Sequence, residues 1–151
     1  ALVAVNAWGD VIDPQTHGII AGLRSGKIGP LRVGKKEPFA DTLAMMKTAL
    51  GRGVLGLAGR ANTVIGVVAT DAKLTKAQAT KVAQMAQDGI ARTIRPAHTM
   101  LDGDVIFALS TGAGKADVSS VGAFAAEAVA EAILRAVRMA GSAGGLPGLL
   151  K

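Results

Sequence analysis

The chain reads as an α/β protein, helices layered against a sheet, because strand-like and helix-like segments alternate along it. Three observations carry that prediction. Short apolar runs occupy residues 1–7, 61–72 and 104–111. Helical apolar periodicity follows each of them, and turn or capping residues stand at the junctions. At 151 residues there is length for one compact domain with a real core. Half the residues are apolar, yet only 3% are aromatic and 20 are glycine, so the core must be aliphatic, with Ala and Gly letting layers approach closely.

Taken in order, "ALVAVNA" predicts a buried strand, followed by turn chemistry at Gly9-Asp10, Asp13-Pro14 and His17-Gly18. It opens without a methionine or a lead-in, which leads us to expect sequence upstream of Ala1. Residues 19–37 are basic and Gly-rich and predict a long irregular loop. A helix is expected from Pro38, with Leu43, Met45, Met46 and Leu50 at helical spacing and Gly51 as its stop. A glycine-rich approach through residue 61 leads to the strand that begins at Asn62-Thr63. Thr75 and Gln78 form a T-x-x-Q capping box, and their helix should end before Pro96. A strand is expected over 104–111. Asp117 or Ser119 then caps a last helix whose apolar stripe includes Val121, Phe124, Ala125, Ala128, Val129, Ala132, Ile133, Ala136, Val137 and Ala140, with Gly141 as C′.

The net charge of +6 raises nucleic acid as a partner. However, Arg24, Lys27, Arg32, Lys35, Lys36, Lys47 and Arg52 gather in one weakly patterned segment with no aromatic residues between them to stack on bases. A solvated basic loop is the better reading. The absence of cysteine excludes disulfides and thiolate chemistry and fits a reducing, cytoplasmic setting. No apolar run reaches the roughly 18 residues of a membrane span.

Four places could carry chemistry. Asn62-Thr63 is either an ordinary loop-to-strand junction or a reactive bond. A threonine hydroxyl is a weak nucleophile unless a base adjoins it, and an N-terminal threonine supplies its own α-amine. That amine titrates near about 7.7–8.0, close to working pH. Thr63 is internal, so the amine would have to be released by its hydroxyl attacking the Asn62 carbonyl to give an ester that water hydrolyses. Asp102-Gly103-Asp104 is either a turn or a carboxylate pair that orients an amine, shares a proton or binds a metal. Neither His17 nor His98 has the spacing to complete a metal site. "STGAGKADVSS" suggests a phosphate cradle at a helix N-terminus, but Lys115 is followed by Ala116 rather than Ser or Thr, so it fails the P-loop pattern. Glycine packing at Gly112–Lys115 competes there with a nucleotide-binding module. Asn6 is either a turn-former or an oxyanion donor.

Together, "VAVNAWGDVID", "ANTVIGVVATDAKLTKAQATKVAQMAQDGIARTIRP" and "HTMLDGDVIFALSTG" resemble a family of self-processing amide hydrolases. It includes DmpA-type L-aminopeptidase/D-esterases, β-peptidyl aminopeptidases and 6-aminohexanoate-oligomer (nylon) endohydrolases. The resemblance spans nearly all the chain and is weakest over residues 24–36. It implies a DmpA-like four-layer αββα sandwich, of which this chain is the C-terminal part. Residues 1–62 would be the end of an α chain and 63–151 a β chain opening at its nucleophile. By the same resemblance Thr63 is the nucleophile, Asn6 the oxyanion-hole amide, and Asp102 and Asp104 an acidic pair beside it. No cofactor or metal is implied. The implied partners are a small or oligomeric amide substrate, the remaining α-chain segment with a lysine and a tyrosine for the site, and further copies in a homotetramer. Thr63 with D-x-D resembles the nylon-oligomer branch; an aminopeptidase or D-esterase acting on peptides or β-peptides is the alternative, although that branch has a serine nucleophile and a Ser/Glu pair.

Overall fold

The computed structural model describes residues 1–28, 31–34, 38–56 and 62–150. In chain order its elements are β1 (Leu2–Asn6), β2 (Asp10–Ile12), β3 (Ile19–Ala21), β4 (Gly26–Ile28), β5 (Leu31–Val33), α1 (Thr42–Met46), α2 (Ala49–Gly56), β6 (Thr63–Ala72), α3 (Lys76–Thr93), β7 (Ile94–Arg95), β8 (Val105–Gly114) and α4 (Val118–Arg138). The main sheet has the order β1-β6-β8. β1 runs antiparallel to β6, and β8 runs parallel to it. The parallel pair needs a crossover, which α3 provides. A smaller sheet has the order β3-β2-β7, and β4 and β5 form a hairpin.

One face of the main sheet carries the core. Val64 and Val68 from β6 and Ile106 from β8 meet Val82, Ala86 and Ile90 of α3 and Ala125, Val129 and Ile133 of α4. Fully burying one such Val or Ile side chain is worth about 1.5–3 kcal/mol. The shortage of aromatics is met by close approach. A Cβ on Gly89 would run into the Ala126 carbonyl and come within 2.8 Å of Val129 Cβ, so α3 and α4 touch backbone to backbone there. The opposite face is also apolar, and among the described residues nothing covers it: Leu2, Ile65, Phe107 and Leu109 are all exposed, Leu2 at 75% and Phe107 at 57%. Among the described residues no helix is long and apolar enough to cross a membrane.

Several expectations hold. The Thr75–Gln78 capping box forms in full at the start of α3, and Asp117 rather than Ser119 caps α4. Others need correcting. The expected irregular loop over 19–37 contains three short strands, β3, β4 and β5. It is organised by Asp10, which is fully buried and accepts hydrogen bonds from the backbone N–H groups of Leu23 (3.1 Å) and Thr42 (2.6 Å) and from the Thr42 hydroxyl (2.8 Å). Lys35 and Lys36 of the basic segment lie outside the described residues, as does the glycine-rich approach over 57–61.

The helix expected from Pro38 to Leu50 is two helices. Asp41 caps the first through Ala44 N–H. Thr48 ends it by donating to the Met45 carbonyl at 3.1 Å, and its hydroxyl accepts from Gly51 N–H at 3.0 Å to start the second. Gly51 therefore lies within α2 and does not stop it. The stripe on α4 also divides. Gly122, Ala125, Ala126, Val129, Ile133 and Leu134 face the core, while Phe124 is 67% exposed.

Candidate active site

The register of the main sheet assembles the site. Because β6 and β8 are parallel, their N-terminal ends lie at the same edge of the sheet, and Ile65 stands beside Val105. Two residues earlier that places Thr63 level with Gly103, and Asn62 forms an isolated parallel bridge with Asp102. β1 runs the other way, so its C-terminal end arrives at the same edge with Asn6 directly opposite Thr63. Five residues spread over nearly a hundred positions of sequence thus meet at one end of three adjacent strands.

At the Asn62–Thr63 bond the Thr63 hydroxyl donates to the Asn62 carbonyl oxygen at 2.6 Å. The same oxygen accepts the backbone N–H of Gly103 at 3.0 Å. The two carboxylates bracket this bond in different ways. Asp104 accepts from Val64 N–H, on the residue after the candidate nucleophile, at 3.0 Å. Its other oxygen lies 3.1 Å from His98 Nδ1, and its side chain is only 5% exposed. Asp102 accepts from the Thr99 backbone N–H (3.0 Å) and hydroxyl (2.7 Å) and from Trp8 N–H (3.3 Å). Asp102 therefore fastens its loop to the chain two residues beyond Asn6, and Asp104 fastens the same loop to β6. The turn lies just before this D-G-D, at Met100-Leu101, closed by Asp102 N–H donating to the Thr99 carbonyl at 3.1 Å, and the D-G-D itself runs on from it beside Asn62 and Thr63.

Two neighbours of the Asn62–Thr63 bond have no signal in the sequence. His98 lacks metal-ligand spacing, and its residue spacing from Asp104 carries no signature. Gly103 contributes a backbone group, which residue identity cannot announce. Among the described residues no three or more His, Asp or Glu side chains come together as a metal site.

The phosphate-cradle alternative at Gly112–Lys115 fails on geometry. Gly112 and Gly114 lie inside β8, not in a loop. A side chain on Gly112 would collide with the Asp71 carbonyl, so the glycine serves close strand packing. The neighbouring hydroxyls are used in tying β8 to the end of β6: Ser110 donates to the Ala72 carbonyl at 2.7 Å and accepts from Leu74 N–H at 3.1 Å.

Comparison with known proteins decides the family. Residues 1–149 match the profile of Peptidase family S58. The chain belongs to this family. Within family S58 terms, it is 42% identical over 97% of its length to an uncharacterized aminopeptidase of Mycobacterium leprae, covering 42% of that protein. It is 40% identical, again over 97% of its length, to an uncharacterized aminopeptidase of Mycobacterium tuberculosis, covering 45% of it. A 6-aminohexanoate-oligomer endohydrolase of Kocuria is 25% identical over 91% of this chain and is covered over 40% of its own length. This S58 chain thus spans less than half the length of the curated relatives it matches.

Proposed function

We propose that this chain is part of a self-processing amide hydrolase whose nucleophile is Thr63, freed by cutting the Asn62–Thr63 bond. The observation that carries the reading is the Thr63 hydroxyl lying 2.6 Å from the carbonyl oxygen of the very bond to be cut. Cutting would leave residues 1–62 at the end of an α chain and 63–151 as the β chain. The new α-amine of Thr63 then serves as base for its own hydroxyl. The hydroxyl attacks a substrate amide, the Asn6 side-chain amide donates to the developing oxyanion, and an acyl-enzyme forms that water releases. Asp104, joined to Val64 N–H, and Asp102, joined to Trp8 N–H two residues past β1, hold the amine and the oxyanion donor in relation to each other.

The uncovered apolar face of the main sheet supports the four-layer αββα arrangement, in which a second sheet from the remaining α-chain segment packs on Leu2, Ile65, Phe107 and Leu109. A homotetramer in the cytoplasm completes the reading. For substrate, Thr63 with Asp102 and Asp104 favours linear amides of the 6-aminohexanoate-oligomer kind. The second reading, an aminopeptidase, is favoured by the higher identity to relatives bearing that name. Assay of one preparation against 6-aminohexanoate oligomers and aminoacyl anilides separates the two.

Intact mass spectrometry of the full-length protein tests the core of the proposal. Two chains are expected, the second beginning at Thr63, and Thr63→Ala should remain whole. Recovery of only uncut, active protein overturns it.

A further inference from the structure

We infer that Gly103 is a catalytic residue of the self-cutting step: its backbone N–H is the oxyanion donor for the Asn62 carbonyl, and its missing side chain makes room for the attacking hydroxyl. The inference rests on the self-processing reading and adds a group that no side chain reveals.

The Asn62 carbonyl oxygen accepts hydrogen bonds from the Thr63 hydroxyl at 2.6 Å and from Gly103 N–H at 3.0 Å. They have different fates in the reaction. When Thr63 Oγ1 bonds to the Asn62 carbonyl carbon it ceases to donate to the oxygen, just as that oxygen takes on negative charge. Gly103 N–H stays in place. A donor that meets a neutral carbonyl in the ground state and an oxyanion in the transition state stabilises the latter selectively. The C–N bond then breaks, and the hydroxyl proton ends on the Thr63 nitrogen. That leaves an ester between Asn62 and Thr63 Oγ1, and water hydrolyses it to the Asn62 carboxylate, regenerating the hydroxyl.

Such a donor is effective when it does not have to be reorganised, and this one is held from both sides. Asn62 and Asp102 form a parallel bridge. The flanking Asp102 carboxylate is bound to Thr99 and Trp8, and the flanking Asp104 carboxylate to Val64 and His98. The requirement for glycine follows from the same closeness. A Cβ at residue 103 would stand 2.9 Å from Thr63 Oγ1, tighter than carbon and oxygen tolerate, and would push the hydroxyl off its position at the bond.

The test uses full-length precursor made in vitro with glycolic acid in place of Gly103, which exchanges the N–H for an ester oxygen and adds no atoms. The readout is the rate at which a chain beginning at Thr63 appears by mass spectrometry, with thermal melting as the check on folding. The ester variant should cut more slowly by on the order of 10²–10³-fold, the usual effect of losing one such donor. Gly103→Ala keeps the N–H but crowds the hydroxyl, and should also cut more slowly. It tests the second half of the inference, the room left for the hydroxyl, even should the ester variant fail to fold. Cutting at the wild-type rate by either folded variant overturns the inference while leaving the self-processing reading intact. Failure of the wild-type precursor to cut overturns both.

Discussion

Asp104 ties together the two sides of the candidate site, because one carboxylate oxygen holds Val64 N–H beside the proposed nucleophile and the other faces His98 Nδ1. Replacing it with alanine leaves Val64 N–H without that acceptor and His98 without its carboxylate. Asp104→Ala is expected to slow release of the Thr63 chain, and hydrolysis by protein already cut, by more than tenfold, while the melting temperature shifts only modestly. Asp104→Asn keeps an oxygen for Val64 N–H and should recover part of the rate. Full activity with unchanged processing in Asp104→Ala would reduce Asp104 to a turn residue; mass spectrometry and melting on the same preparations distinguish the outcomes. The candidate positions Asn6, Thr63, Asp102 and Asp104 came from the family resemblance; pattern alone leaves each an ordinary strand-end, turn or loop residue, and the structure adds that register brings them to one end of the main sheet. His98 and the Gly103 N–H were not legible. One acts through a contact set by loop geometry and the other through an atom that every residue but proline possesses.

At the scale of elements, what the sequence made plain were helices with strong local chemistry at their starts. Thr75 and Gln78 satisfy each other's backbone partners, and a capping box needs no tertiary information to be read. Apolar spacing across the α1–α2 region imitates one continuous helix, while Thr48, an unremarkable residue by propensity, bonds both sides of the break. The cap of α4 responds to pH. Ser120, first through its backbone N–H and then through its hydroxyl, holds the Asp117 carboxylate below its ordinary value of 3.8. A carboxylate depressed by folding stabilises above the unfolded value, and that stability is lost as pH falls through the folded one. The melting temperature of wild type should therefore exceed that of Asp117→Ala by a constant margin near neutrality, and the margin should shrink as pH drops below 3.8. Melts followed by circular dichroism at matched ionic strength check this; a margin unchanged down to acid would show that the charge contributes nothing to the cap.

For the molecule as a whole, the α/β class followed from alternation, but the sequence could not say that both faces of the main sheet are apolar while only one is covered by α3 and α4. Alternating burial along β1, β6 and β8 mattered less than composition there: Leu2, Ile65, Phe107 and Leu109 stand exposed where polar residues would suit water. Exposed apolar surface of this kind marks a contact. Phe107→Glu should accordingly be close to neutral for the stability of residues 1–151 alone and strongly destabilising in the full-length protein. Comparable melting shifts in both would mean that the face meets water in the complete molecule. The pairing of β1 with β6, from Leu2 opposite Val67 to Asn6 opposite Thr63, has a consequence of another kind. Its two strands lie on opposite sides of the Asn62–Thr63 bond. Were that bond cut as proposed, the strands would belong to different polypeptides, and a fold acquired as a first-order process could be regained only as a second-order one. Maturation would then be a ratchet: the precursor refolds at any dilution, whereas the cut protein, once denatured, returns at a rate set by its concentration.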